Sequence, residues 1–179
     1  MAVAAVKFER VFSAALVGDL QKSVLRLLGD AYSDNLADYL RNVGRGVHLL
    51  GRVDGELVTH GMIVDRGLQV GEQPPLRTAY VELVATAPRA QGRGYASALM
   101  VHLVEHMAEY ALAALSPVNV GFYQQFGWEK WRGPLSVRSN FHTVRTPEDE
   151  VMILRLPRTP ETLDLDAPLS VEWRPGEVW

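Results

Sequence analysis

Apolar positions recur along this chain with two different periods. In residues 17–28, Leu20, Val24, Leu27 and Leu28 share one helical face, and Asp34 to Val43 reads as a second short helix capped by Ser33 or Asp34. Val47, Leu49 and Val53 alternate as in a strand, and Asp54-Gly55 predicts a hairpin turn into a second strand, Glu56 to Asp65. After a loop at Gly71 to Pro75, Thr78 to Thr86 reads as the next strand, which Pro88 helps to end. Gly94 to Met107 is the clearest helix, with Leu99, Leu103 and Met107 at i, i+4 and i+8 and Ala96 completing the stripe. Beyond it lie a strand at Tyr110 to Leu115, a short helix at Asn119 to Gln125, and a turn into a strand at Gly127 to Trp131. Val151 to Leu156 is a further strand, and the remainder reads as a proline-rich, acidic tail. This order predicts an α/β domain with a mixed sheet, a single domain over residues 1–179, with no internal repeat and no linker to divide it.

Composition narrows the classes. At 179 residues and 47% apolar, the chain is long enough for a substantial core, and no window holds eighteen consecutive apolar residues. The N-terminal MAVAAVKFERVF lacks the basic start and small-residue cleavage site of a secretory signal. With no cysteine there is no disulfide framework, thiolate nucleophile or cysteine metal site, which accords with a cytoplasmic protein. The net charge of −3 is uneven: residues 148–179 hold eight acidic residues against three basic ones, while the middle of the chain carries arginines. That distribution suits a phosphate-bearing cofactor and a cationic small molecule, although each single loop acid also reads simply as solvated. A basic stripe interleaved with aromatics, as nucleic-acid binding would want, is absent.

The candidate chemistry sits in YVELVATAPRAQGRGYASA, Tyr80 to Ala98. A glycine-containing turn opening a helix directs free backbone N–H groups, and the positive end of the helix dipole, at one spot suited to pyrophosphate. Glu82 lies mid-strand among Val81, Leu83, Val84 and Ala85, where an unpaired ionised carboxylate would cost several kcal/mol to bury. Either it faces water on one side with Tyr80 and Val84, or it is held for chemistry; the glycine loop that follows favours the second. Tyr123 by spacing alone is a packing residue, with Phe122 and Phe126 at i and i+4 available to pack beside it. The histidines, 48, 60, 102, 106 and 142, form no metal set, and His102 with His106 lacks a third ligand. Gly92-Arg-Gly94 does not read as a dinucleotide fingerprint, because it stands mid-chain after a hairpin and Glu105 and Glu109 fall in or at the end of the helix.

Arg89-x-x-Gly92-x-Gly94 resembles the R/Q-x-x-G-x-G/A loop of the GCN5-related N-acetyltransferases. Asn119-Val-Gly-Phe-Tyr123-Gln-Gln-Phe-Gly127-Trp128 is similar to the second signature of that superfamily, in the expected order. The resemblance implies a central mixed, mostly antiparallel sheet flanked by helices, and acetyl-CoA as cosubstrate with no metal. It further implies that the backbone of Gln91, Gly92, Arg93, Gly94, Tyr95 and Ala96, in the loop opened by Arg89, binds the pyrophosphate. Leu83, Val84 and Ala85, on a strand splayed after Glu82, would hold the pantetheine and polarise the acetyl carbonyl, and Asn119 would lie along the same cofactor.

A narrower likeness rests on AYVELVAT, Ala114-Leu-Ser116, Arg145-Thr-Pro-Glu-Asp-Glu150 and above all Glu172-Trp-Arg-Pro-Gly-Glu-Val-Trp179. These are similar to the aminoglycoside 2′-N-acetyltransferases, which end in a W-R-x-G-[DE]-V-W run. That resemblance implies N-acetylation of the 2′-amine, with Glu82 acting through water and the Trp179 carboxylate accepting the proton, and Tyr123 protonating the departing thiolate. Asp34, Asp38 and Asp149, beside Glu82 and Trp179, would meet the aminoglycoside, and a homodimer is implied as well. The chain departs from the pattern at Ser116-Pro117-Val118, where relatives carry further serines and Pro117 has no N–H to donate. Rival readings are the same fold acting on another amine, such as a polyamine or a protein N-terminus, and a module that binds aminoglycoside or CoA without turnover.

Overall fold

The computed structural model describes residues 5–179. They form two compact units, one made of residues up to Val64 with Val81–His106, the other of Asp65–Tyr80 with Met107–Trp179.

The first unit holds β1 (Lys7–Phe12), α1 (Gly18–Tyr32), α2 (Ala37–Asn42), β2 (Gly46–Val53) and α3 (Tyr95–Val104). It also contains the first part of β3 (Glu56–Val70) and the later part of β4 (Leu76–Thr86). The apolar face of α1 buries Val24, Leu27 and Leu28 against Leu50, Met62, Leu83 and Tyr95. Within α3, Leu99 and Leu103 of the expected stripe are fully covered, but the helix stops at Val104, short of the expected Met107, which is covered in the second unit. This helix approaches β3 closely at Gly61, where an added Cβ would lie 3.0 Å from Leu103 and 3.2 Å from Leu99.

The second unit holds β5 (Leu112–Leu115), α4 (Val120–Gln124), β6 (Glu129–Lys130), β7 (Leu135–Arg138), β8 (Thr143–Arg145), β9 (Met152–Arg155) and β10 (Leu169–Glu172). Its core gathers Tyr80, Leu112, Trp131, Val151, Ile153, Leu169, Val171 and Trp179.

The strands follow the order β6-β9-β5-β4-β3-β10-β7-β8, with β2 beside β3 and β1 beside β2. β4 runs parallel to β5, and β7 to β10. Antiparallel pairing joins β1 to β2, β2 to β3, β3 to β10, β5 to β9, β6 to β9 and β7 to β8. The expected mixed, mostly antiparallel sheet is what forms.

Several expectations need correction. α1 runs on to Tyr32, where Ser33 ends it in the left-handed conformation (φ 56°), so Ser33 is a C-cap and not the start of α2. α2 begins only at Ala37; the Asn35 side chain accepts from the Ala37 N–H at 3.1 Å, and Asp34 bonds the N–H of Asn35 instead. The tail is no mere loop, since Leu169–Glu172 pairs with β7 on one side and β3 on the other. β1, β7 and β8 likewise form where no strand was expected, and β3 continues five residues past Asp65.

Candidate active site

Glu82 is only 6% exposed, on β4 of the first unit, and the Tyr39 hydroxyl of α2 donates to its Oε2 at 2.9 Å. The water-facing alternative is thereby removed. Leu83 follows with φ +54°, a left-handed conformation that a branched side chain adopts only when its surroundings impose it. Three successive carbonyls after Glu82 accept from side chains. His60 Nδ1 donates to Leu83 O at 2.8 Å, the Tyr32 hydroxyl to Val84 O at 2.9 Å, and Thr59 Oγ1 to Ala85 O at 2.8 Å.

Behind His60 runs a chain of short contacts: His48 Nδ1 to His60 Nε2 at 3.0 Å and His48 Nε2 to Ser13 Oγ at 3.0 Å. Both rings are buried. Burial drives their pKa values down from 6.5, to about 4 for His48 and about 3 for His60. Both imidazoles are therefore neutral near pH 7.

Beyond β4 the chain enters α3 through a 3₁₀ turn, Pro88–Ala90, and two left-handed glycines, Gly92 (φ +71°) and Gly94 (φ +79°). No side chain caps α3, since Gly94 is its N-cap, so the first-turn N–H groups remain as donors. An added Cβ at Gly92 or Gly94 would meet nothing within 4 Å, which leaves the loop open to an approaching group. The donor set is one that a pyrophosphate fits. Arg89, expected at this loop, pairs with Glu56 at 2.6 Å on the surface, and Gln91 Nε2 donates to Thr86 O at 3.3 Å. Arg93 is exposed and Tyr95 buried in the core, while Ala96 is half-buried in the first turn of α3.

In the second unit, Tyr123 is the buried aromatic of α4, 8% exposed, and Phe122 and Phe126 are half-exposed. The two phenylalanine rings do meet, at 5.3 Å, as their spacing requires, but Tyr123 packs inward against Trp128 with centroids 6.2 Å apart. Burial raises the phenol above its ordinary pKa, so it is protonated through the neutral range. Asn119 caps α4, its Oδ1 accepting from the Phe122 N–H at 3.1 Å.

Trp179 is buried (5% exposed), and its indole N–H donates to Thr146 Oγ1 at 2.9 Å. The segment before it is gripped by Arg66, whose guanidinium bonds Glu172 Oε1 at 2.7 Å, Glu172 O at 2.7 Å and Val178 O at 2.6 Å. A cleft of about 660 Å³ is lined by Trp131, Arg132, Arg145, Thr146, Glu148 and Asp149 among others. Asp149 is exposed there, while Glu150 pairs with Lys130. Asp34 is exposed at the end of α1, and Asp38 pairs with Arg41 at 2.8 Å.

The structure thus brings Tyr39 to Glu82, side-chain donors to the carbonyls of residues 83–85, and Thr146 to Trp179. It brings neither Asp34 nor Asp38 to Glu82 by any direct bond. Tyr32, Tyr39, His48, Thr59, His60 and Arg66 join these groups without having stood out in the sequence. The tyrosines lie near two helix ends in a polar stretch, a weak signal; the histidine pair is hidden by a bulge between β2 and β3. Among the described residues there is no cluster able to hold a metal ion and no helix long and apolar enough to cross a membrane.

An acetyltransferase (GNAT) domain matches residues 19–131. The chain is 33% identical to the aminoglycoside 2′-N-acetyltransferase of Mycolicibacterium fortuitum, over 94% of this chain and 90% of that protein. A GNAT family N-acetyltransferase of Escherichia coli, solved in complex with CoA, superposes with a TM-score of 0.64 over 97% of this chain and 93% of its own, at 16% identity. A GCN5-related N-acetyltransferase of Kribbella flavida superposes with a TM-score of 0.57 at 22% identity, over 72% of this chain but only 34% of its own. The chain spans about a third of that larger protein's length. Matched over most of its length by the domain, and by a relative one-third identical to it, the chain belongs to the GCN5-related N-acetyltransferases.

Proposed function

We propose that this acetyltransferase transfers an acetyl group from acetyl-CoA to the 2′-amine of an aminoglycoside. The observation that carries this reading is the near full-length likeness to the M. fortuitum enzyme, together with the terminal Trp-Arg-Pro-Gly-Glu-Val-Trp run. Acetyl-CoA supplies an activated thioester. The N–H groups of residues 91–96 bind its pyrophosphate, with Arg89 and Arg93 adding positive charge, Asn119 lying along the cofactor, and the backbone of residues 83–85 holding the arm that bears the acetyl group.

The substrate amine arrives protonated and must lose a proton before its lone pair can attack. Glu82 accepts that proton through water, with Tyr39 orienting the carboxylate. As the new C–N bond forms and the C–S bond breaks, Tyr123 gives its proton to the leaving sulfur. Asp34, Asp38 and Asp149 present negative charge to the other ammonium groups of the sugar. The likeness also carries the expectations of a homodimer, a cytoplasmic setting and a part in antibiotic resistance.

The test is thiol release from acetyl-CoA with aminoglycosides that bear or lack a 2′-amine. The protein has no cysteine, so every thiol detected comes from the cosubstrate. Turnover restricted to compounds with the 2′-amine, and a loss of about 10²–10⁴-fold in kcat/KM on Glu82→Gln, is expected. Turnover only with other amines would remove the substrate assignment, and undiminished turnover by E82Q would remove the base.

A further inference from the structure

The Leu83 peptide poses a physical question. A leucine at φ +54° is strained and persists only where neighbours over-determine it. The neighbour in direct contact with this peptide is His60 on β3, fully buried, with its Nδ1 2.8 Å from Leu83 O.

The hydrogen-bond directions along the chain follow from its far end. A carbonyl can only accept, so His60 Nδ1 carries the proton. A neutral His60 then has an acceptor at Nε2, which must receive the Nδ1–H of His48, 3.0 Å away. The Nε2 of His48 accepts in turn from the Ser13 hydroxyl at 3.0 Å, and Ser13 Oγ accepts from the Gly46 N–H at 2.9 Å. Every donor points the same way, from Gly46 through Ser13, His48 and His60 to Leu83. The Ser13 hydroxyl's alternative acceptor, Gly46 O at 3.1 Å, cannot be used at the same time, because the group has one proton.

From this we propose that His60, backed by His48 and Ser13, is a positioning residue that holds the Leu83 peptide in its left-handed turn and so aims both the Glu82 side chain and the acetyl-CoA-binding backbone beyond it. The assignment rests on the roles proposed for residues 82–85. It goes further in naming the side chain that makes them competent. Thr59 and Tyr32 extend the same device along the strand, occupying the two carbonyls that follow.

Two isosteric amides separate positioning from packing. In His60→Asn the side-chain NH₂ stands where Nδ1 stood and still reaches Leu83, but nothing reaches His48. In His60→Gln the amide stands where Nε2 stood, which keeps the His48 contact and abandons Leu83. Both variants lose half of the buried chain, so both are expected to melt below the wild type.

Calorimetric binding of CoA and amide hydrogen exchange across residues 80–86 should divide them. H60N stays within about threefold of the wild type in both, while H60Q binds CoA about tenfold more weakly and exchanges at least about tenfold faster. In turnover, H60Q lowers kcat more than it raises KM for the amine. Equal losses in the two variants, or the reverse order, would overturn the assignment. If H60Q does not fold, H60N decides alone: CoA affinity within about threefold supports the assignment and a loss of about tenfold overturns it. Neither CoA binding nor exchange involves an amine, so a wild type that ignores aminoglycosides would sink the proposed substrate and still leave His60 to be judged.

Discussion

A carboxylate buried in a strand stays there only if something replaces its lost water, and for Glu82 one such group is the Tyr39 hydroxyl. Its mid-strand place among apolar neighbours made Glu82 conspicuous in the sequence. Tyr39 was not, because a tyrosine on a six-residue helix 43 positions earlier carries no local sign of where its hydroxyl ends. Tyr123 presents the opposite case: its spacing suggested only a packing aromatic, and it does pack, against Phe122 and Trp128, with burial raising its phenol pKa. The proton donor proposed for the leaving sulfur must be protonated at the working pH, a condition that an ordinary phenol already meets and that burial leaves intact. Tyr123→Phe keeps the ring contacts with Phe122 and Trp128 and removes only the proton. It is expected to lower kcat by about 10²-fold with KM and melting temperature nearly unchanged, as read by steady-state kinetics beside a thermal melt.

At the level of elements, one inserted residue decides which histidines meet. A plain two-residue hairpin at Asp54-Gly55 would place His48 opposite Gly61 and His60 opposite Leu49, on opposite faces of the sheet. The structure has that register only next to the turn, at Arg52↔Leu57; beyond it a bulge shifts the pairing to Gly51↔Thr59, and so His48 faces Met62 and His60 faces Leu50. Both rings then share one face. Nothing in the alternation of Val47, Leu49 and Val53 announces the bulge, which is why the pair reads as unrelated in the sequence. The tail hid its strand for a related reason: β10 is four residues long and is stabilised by partners on β3 and β7, not by any pattern of its own.

What secures the run after β10 is Arg66, buried with only 3% of its side chain exposed and stacked 5.4 Å over Tyr80. Arg66→Met removes the side-chain donor to the carbonyls of Glu172 and Val178 and one partner of the Glu172 carboxylate, which keeps the Gly67 N–H and Arg138. Because that carboxylate reaches water, the cost falls toward the low end of the range for breaking a buried pair, about 3 kcal/mol. Hydrogen exchange over residues 172–179 should rise by more than about tenfold in R66M, and unchanged protection there would show that the clamp is dispensable.

For the whole molecule, the buried histidines set a limit on the acid side. Both have folded-state pKa values below the 6.5 of the unfolded chain, about 4 for His48 and about 3 for His60. Between those limits the unfolded chain binds protons that the folded chain refuses, so stability rises with pH across the window. The contribution of the neutral pair is complete above about pH 6.5 and is lost as the pH falls through 6.5 toward 4 for the first ring and 3 for the second. Each ring adds up to about 1.4 kcal/mol per pH unit to the slope. Urea unfolding between about pH 7 and pH 5 should show this slope in the wild type and roughly half of it in H60N; a flat wild-type profile would contradict neutral burial.

The side chains that occupy the carbonyls of Leu83, Val84 and Ala85 have a bearing on affinity as well as on shape. All of them, Thr59, His60 and Tyr32, belong to the same compact unit as the strand they hold, so the contacts that fix this backbone come from within that unit. A ligand that seeks the backbone of this segment meets a conformation selected during folding. The more of that conformation folding itself imposes, the smaller the share of a ligand's affinity that goes into selecting it.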